Sequence, residues 1–257
     1  MTDYFIDTHC HLHDPEFFPG SVDTFIQQAY QQNVRQIIVI GTSHQDSLLA
    51  RDFALKYSTS ESSSAESVTT FWTYGIHPSE YQLPRPQPDF SVHRPIAIGE
   101  VGLDYHYQPY DRSAQIQLFE SMIDLAAKQR LPLVFHVREA FDDFFAVIDN
   151  FPQISGVVHS FSDNKSNLEK ALARNLYIGV NGLATFVNLP TPPLERILLE
   201  TDAPFLAPVP FRGRTNQPAY VRNIADWLAH QLQLPLAKIA ATTSSNARTL
   251  FQLPTLN

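Results

Sequence analysis

The chain has 257 residues, a formal net charge of −8, and one Cys against ten His. One Cys excludes a module held by internal disulfides, and 44% apolar with 12% aromatic residues excludes a disordered polymer. The acidic balance excludes a protein that coats nucleic acid through bulk positive charge, but not an enzyme that grips one phosphate locally.

The first residues, Met1 to His9, show no basic region followed by a long apolar run, so no secretory signal is expected. No stretch approaches the roughly 18 consecutive apolar residues of a membrane span. With a single thiol, the cytoplasm is the expected compartment. A first strand is expected at Tyr4–Asp7, then a helix over Ser21–Asn33 with Ser21 as cap and Val22, Phe25, Ile26 and Ala29 on one face. Gln36–Ile40 reads as a strand and Ser43–Tyr57 as a helix. Ser58–Ser67 is a low-complexity surface loop. Strands follow at Thr70–Tyr74 and Ile96–Gly99, separated by a Pro-rich, irregular Leu83–Pro95. The helix over Ser113–Arg130 ends in Lys128 and Arg130, which suit a helix C-terminus. Leu133–Phe135, Val157–Val158, Leu176–Val180 and Ile197–Leu199 are further strands, with helices at Glu139–Asn150, Asn164–Asn175 and Pro218–Gln233.

Short runs rich in Ile and Val, alternating with helices, describe a parallel sheet buried on both faces. Eight of them suggest a (β/α)8 barrel, read as one domain over residues 1–257 with no internal repeat or linker. A doubly wound sheet is the rival. It often carries a glycine-rich first turn, whereas here that turn is Thr8-His9-Cys10-His11.

In a barrel the active site is built at the C-terminal ends of the strands. His9 and His11 fall after strand 1, His77 after strand 3, Glu100 at the end of strand 4, His136 at strand 5, His159 at strand 6 and Asp202 after strand 8. His9, His11, Glu100, His136, His159 and Asp202 form a metal-ligand inventory, since imidazole with carboxylate suits transition metals. His9 and His11 are two apart on an extended segment, so both side chains leave the same face. Six ligands exceed what one tetrahedral ion needs and fit a two-metal site. Each residue also has an ordinary reading. A lone His at a strand end is commonly just hydrogen-bonded, and Glu100 could be the partner of an Arg. His13, His44, His93, His106 and His230 read as surface or loop residues.

Several motifs resemble the TatD family of metal-dependent hydrolases. They are Phe5-Ile6-Asp7-Thr8-His9-Cys10-His11-Leu12, Gly75-Ile76-His77-Pro78 and Ala97-Ile98-Gly99-Glu100-Val101-Gly102-Leu103-Asp104-Tyr105. His136-Val137-Arg138-Glu139-Ala140, His159-Ser160-Phe161, Leu198-Leu199-Glu200-Thr201-Asp202-Ala203-Pro204 and Asn246 to Phe251 agree in order and spacing. The resemblance implies an amidohydrolase-like TIM barrel, two divalent ions (Mg, Mn, Zn, Ni or Co) and deoxyribonuclease activity, typically 3′-to-5′ from DNA ends. By the same resemblance, His9, His11 and Asp202 hold one ion, His136 and His159 the other, and Glu100 bridges them. Asp202 is then also placed to deprotonate the attacking water, which makes Asp202 and Glu100 the catalytic pair. The sequence departs from the family in the segment between strands 7 and 8. Three Pro among residues 190–193 deny it an interior helix turn, so the outer helix there is expected to be short or missing.

Phosphodiester chemistry also needs fixed donors for the phosphate. His77, Arg138 and Arg214 are the expected substrate contacts, with Arg212 beside them and Tyr105 and Tyr107 as residues on which a base could stack. DNA is the expected partner, with no membrane and no obligate protein. Two other readings compete. An amidohydrolase would cleave an ester or amide bond in a small molecule, but many of these use a carboxylated Lys where this chain has Glu100. A binding module without catalysis is disfavoured because a decaying site should lose ligands first.

Overall fold

The computed structural model describes residues 4–18, 22–58, 68–84 and 86–256. The elements run β1 (Phe5–Cys10), α1 (Val22–Gln31), β2 (Val34–Val39), α2 (His44–Ser58), β3 (Thr69–Tyr74), β4 (Ala97–Asp104), α3 (Arg112–Gln129), β5 (Leu133–Arg138), α4 (Phe141–Ile148), β6 (Gly156–Val158), α5 (Lys165–Ala173), β7 (Tyr177–Val180), β8 (Ile197–Leu199), α6 (Val221–Leu232) and α7 (Leu236–Phe251). The eight strands are parallel and ordered by sequence. β8 returns to β1 through a bridge between Cys10 and Ala203, and the Asp202 N–H donates to the His9 carbonyl at 2.8 Å. The result is a nearly closed TIM barrel, as the strand count predicts. Of the expected loop Ser58–Ser67, Ser58 is the last residue of α2, and residues 59–67, like the cap Ser21, lie outside the described residues.

Alternation along the strands divides the core into two layers. Ile6, Ile38, Ala97, Val134, Val157 and Leu198 fill the barrel interior. Ile37, Trp72, Ile98, Phe135, Val158 and Leu199 face outward onto the helices. α4 shows the outward packing most plainly. Phe141, Phe144, Phe145 and Ile148 are buried at helical spacing, and Phe144 meets Phe135 and Phe119 at ring distances of 5.1 and 5.9 Å.

Two gaps interrupt the helical sheath. Between β7 and β8 the described chain forms only short 3-10 turns at Gly182–Thr185 and Leu194–Arg196, as the Pro-rich sequence requires. A second gap lies between β3 and β4, where the described residues form only a 3-10 turn at Pro78–Glu80; the sequence reading has this stretch as irregular, not as a missing helix. Phe90 covers it in part, packing on Tyr74 at 5.4 Å and Trp72 at 6.4 Å.

α7 is absent from the sequence reading and has a definite task. Ala247, Leu250 and Phe251 from its C-terminal end, with Leu253, join the interior layer and plug the bottom of the barrel. Its Asn246 side chain donates to the carbonyls of Leu194 and Ile197, 2.9 Å each, and so fixes the start of β8 beside the missing helix. The bottom is thus dedicated to stability, and the mouth is left for polar groups.

Candidate metal centre

The alternation that fills the barrel interior also aims the polar residues. On β5, β6 and β8 the residues after the last interior apolar positions are His136, His159 and Glu200, which therefore enter the mouth. β1 and β4 need a correction of phase. The β1–β2 register slips between Asp7 and Cys10, and the β4–β5 register slips between Ile98 and Val101. Each slip is a bulge that inserts one extra residue. Without them His9, His11, Glu100 and Asp104 would point to the outer layer. Gly102 then passes so close to β5 that a Cβ there would overlap the His136 carbonyl, and its φ of 147° also calls for glycine.

Glu100 is the centre of the cluster. Its Oε1 is 2.7 Å from His136 Nδ1 and 2.9 Å from His159 Nε2, and its Oε2 is 3.6 Å from His9 Nε2. Asp202 Oδ1 lies 3.7 Å from His9 Nε2 and 3.8 Å from His11 Nε2. All six expected ligands therefore share one mouth. Asp202 (φ 57°) and Ser160 (φ 48°) hold left-handed backbone conformations that are uncommon for such residues, and both border the cluster.

The donor set fits divalent ions. Both ring nitrogens of His9 are buried without a hydrogen-bond partner, as is Nδ1 of His159. Polar atoms buried in this way are costly unless something binds them. His11 Nδ1–H donates to the Ile40 carbonyl at 3.2 Å, which leaves Nε2 as the free acceptor facing Asp202. Groups of ligand atoms close enough to share an ion include His9 with His11 and Glu100, and His9 with His159 and Glu200. Nitrogen with carboxylate oxygen suits Zn, Mn, Ni or Co by ligand chemistry.

Electrostatics agree with a cation site. Burial opposes ionisation of Glu100, but His159, His136 and His9 outweigh it and hold the carboxyl well below its ordinary range. Burial likewise opposes a charge on His159, yet Glu100 and Glu200 raise it well above the usual imidazole value. His136 is raised in the same manner by Asp104 and Glu100. Burial, with repulsion from Glu100 and Glu200, pushes Asp202 up to about 7, and burial pushes Asp7 up to about 8. Burial is the main cause at both, and the neighbouring carboxylates add to it.

Supporting contacts surround the ligands. Asp104 accepts from His136 Nε2 at 2.9 Å, a carboxylate–histidine pair that fixes the ring and leaves Nδ1 toward Glu100. Glu200 accepts from the Ser160 N–H at 2.6 Å and stands 3.5 Å from His159 Nδ1. Asp7 accepts from the N–H and hydroxyl of Thr201 at 2.8 and 2.6 Å, tying β1 to the segment that carries Asp202. Asp7 and Glu200 stand in the sequence only as members of the Phe5–Leu12 and Leu198–Pro204 motifs, with no role of their own. Sequence reasoning missed Asp104, whose signal was its spacing of four from Glu100 along a strand, which puts both on one face.

The expected substrate contacts divide. His77 and Arg138 line a cleft of about 890 Å³ above the cluster, and Arg214 does not. Arg214 sits exposed at the tip of the loop after β8, with Arg212 beside it stacked 3.5 Å over the Phe186 ring. His77 also lies within sharing distance of Glu100 and His136. However, its Nδ1 accepts from the Ser79 N–H at 3.1 Å, and burial beside His136 pushes its pKa down to about 3. The neutral ring then carries its proton on Nε2, which leaves that nitrogen a hydrogen-bond donor. Tyr105 is occupied by local packing: it stacks on Tyr110 at 4.7 Å and donates to Asp143 at 2.7 Å. Tyr107 lines the cleft, with the Arg138 guanidinium 5.0 Å from its ring. His13, read as a surface residue, is instead buried and paired with Asp46 at 2.9 Å.

Comparison with known proteins agrees with this geometry. Residues 6–252 match the family model for TatD related DNase. The chain is 30% identical over 265 residues to the Escherichia coli protein named uncharacterized metal-dependent hydrolase YcfH, covering 97% of this chain and 96% of that one. It is 31% identical over 249 residues to the 3′-5′ ssDNA/RNA exonuclease TatD of Citrobacter rodentium, covering 89% and 91%. Among solved structures, the Escherichia coli TatD homologue YjjV superposes with a TM-score of 0.84 at 27% identity, over 99% of this chain and 100% of that one. The chain belongs to the TatD family of metal-dependent hydrolases.

Proposed function

We infer that this hydrolase is a deoxyribonuclease that removes nucleotides from 3′ ends of DNA, acting in the cytoplasm with two divalent ions as cofactors. The observation that carries this reading is Glu100, reached by His136, His159 and His9 at 2.7, 2.9 and 3.6 Å beneath a cleft that also presents Arg138. His9, His11 and Asp202 would hold one ion, His136 and His159 the other, with Glu100 between them. Bound ions supply acidification of water and positive charge for the phosphate oxygens.

The chain's own residues do the rest. Asp202, at the edge of the cluster and lining the cleft, takes the proton of the attacking water at its carboxylate. Asp104 and Glu200 keep the His136 and His159 rings aimed inward. Arg138, with guanidinium donors facing the cleft, and His77 Nε2–H hold the non-attacked phosphate oxygens.

The test is a substrate panel across Mg, Mn, Zn, Ni and Co. Labelled single-stranded DNA is expected to shorten from its 3′ end. Intact DNA alongside turnover of small esters or amides would replace this reading with an amidohydrolase one.

A further inference from the structure

The cleft carries a pair of exposed aromatic rings that no ligand role explains. Phe17 and Phe205 are 41% and 46% exposed, although large aromatic side chains usually bury themselves. Both line the metal-site cleft, and their rings meet edge to face at 5.2 Å. The Phe205 ring is 6.3 Å from that of His11.

These rings are held in place. The Phe205 N–H donates to the Asp202 carbonyl at 2.8 Å. Asn216, fully buried, donates from its side chain to the carbonyls of Thr201 and Phe205 at 2.7 and 2.6 Å. Phe205 is therefore fixed relative to Asp202 by a turn clamped on both sides. Phe17 stands on a turn in which the Glu16 N–H donates to Asp14 Oδ1 at 2.8 Å and the Phe18 N–H to the Asp14 carbonyl at 3.1 Å. Its neighbour Phe18 is buried and anchors that turn.

We propose that Phe17 and Phe205 form the stacking platform for the 3′-terminal base of an unpaired strand, the base of the nucleotide being removed. The proposal rests on the reading of the site as one that trims DNA ends. The Phe205 ring stands 6.3 Å from that of His11, whose Nε2 is 3.8 Å from Asp202 Oδ1, so a phosphate over Glu100 and Asp202 has the ring pair within reach of its own base. An aromatic face accepts any base, so the platform grips without reading sequence. Moving the terminal base of a duplex onto the rings costs its pairing and its stack on the next base, so the platform favours frayed or single-stranded ends. Strand order places this pair beside β8 and β1, while Tyr107 follows β4 on the far side of the barrel mouth. The strand can thus enter past Tyr107 and Arg138 and end on the two Phe rings.

The experiment uses two single-stranded oligonucleotides, one ending in 2-aminopurine and one in an abasic sugar. A non-hydrolysable 3′-terminal linkage serves for binding and the natural linkage for cleavage. The wild-type chain, metal-loaded, should quench the terminal 2-aminopurine on binding and cleave the base-bearing end faster than the abasic one. Phe17→Ala and Phe205→Ala should each weaken binding of the base-bearing end about 5- to 150-fold, the range of one lost base–aromatic stack, and leave the abasic end unaffected. Phe205→Tyr should keep the preference. Thermal melting shows whether each variant is folded, and Phe17→Ala, on an exposed turn, decides the matter if Phe205→Ala is not. Equal handling of both ends by wild type, unchanged in the variants, would overturn the platform and leave the nuclease reading standing. A wild-type chain that neither binds nor cleaves either oligonucleotide overturns both.

Discussion

Gly179 has no side chain, and the carboxylate of Glu200 fills the place its Cβ would take. From that place Glu200 accepts from the Ser160 N–H at 2.6 Å and approaches His159 Nδ1 to 3.5 Å. A β7 glycine twenty residues away in sequence therefore sets the position of the His159 ring after β6. Gly179→Ala is expected to push Glu200 away and loosen His159. Loss of such a supporting contact typically lowers metal affinity about 10- to 100-fold. Calorimetric titration of the chelator-stripped protein with Zn or Mn reads this directly. An unchanged affinity would separate Glu200 from the metal site.

The proposed mechanism gives Asp202 and Glu100 different tasks, and their variants should differ accordingly. Asp202→Asn keeps the shape but removes the proton acceptor and weakens one metal ligand, so kcat should fall about 10²- to 10⁴-fold even where added metal fills the sites. Glu100→Ala removes the group that three histidines approach and should reduce metal content as well as activity. Steady-state kinetics with metal analysis of both variants distinguishes them.

Metal removal should lower thermal stability, because the folded site binds the ions and the unfolded chain has no preformed site. At free metal 100 times the dissociation constant, one site adds about 2.7 kcal/mol. For a chain of this size that corresponds to roughly 5–10 °C in melting temperature. Scanning calorimetry with and without chelator measures it, and identical curves would contradict a ligand-bearing mouth.

The His13–Asp46 pair gives a prediction in pH. Burial opposes the charge of Asp46, but bonds from His13 and from the Thr42 N–H and hydroxyl at 2.9, 2.7 and 2.9 Å outweigh it. The folded pKa is therefore below the ordinary 3.8. The contribution to stability is fully present above 3.8 and is lost as pH falls through the lowered folded value. Asp46→Ala should destabilise the protein by about 1.5–3 kcal/mol at pH 7. That difference should shrink below pH 3.8 in denaturant titrations. A pH-independent difference would place the effect in packing instead.

Phe144→Ala tests the outer layer. Phe144 is fully buried between Phe135 and Phe119 at 5.1 and 5.9 Å. The substitution should cost about 3–5 kcal/mol in chemical denaturation. Metal binding by the folded fraction should be retained, since no ligand lies on α4.

The cluster at the barrel mouth was legible in the sequence because chemistry-bearing residues stood at the ends of apolar runs. His136 and His159 follow directly from strand alternation. His9, His11, Glu100 and Asp104 do not, because each depends on a bulge that reverses which residues face inward. Such bulges are backbone events with no periodic signal. The missing helix between β7 and β8 was visible in its prolines, whereas the one between β3 and β4 was hidden behind a segment read simply as irregular. α7 escaped notice because its buried face mixes Thr243, Ser244 and Asn246 with apolar residues. Those polar groups serve the barrel floor: Ser244 donates to the Tyr4 carbonyl at 2.8 Å, and Asn246 anchors the start of β8. His13 was misread because its partner, Asp46, lies 33 residues away and only the fold brings them together.

Metal stoichiometry tests the central claim most directly. Protein purified without chelator, analysed for elements by mass spectrometry, should carry about two divalent ions per chain. Glu100→Ala should carry fewer. A wild-type chain that holds none, and whose hydrolytic activity no added divalent metal stimulates, would contradict the account.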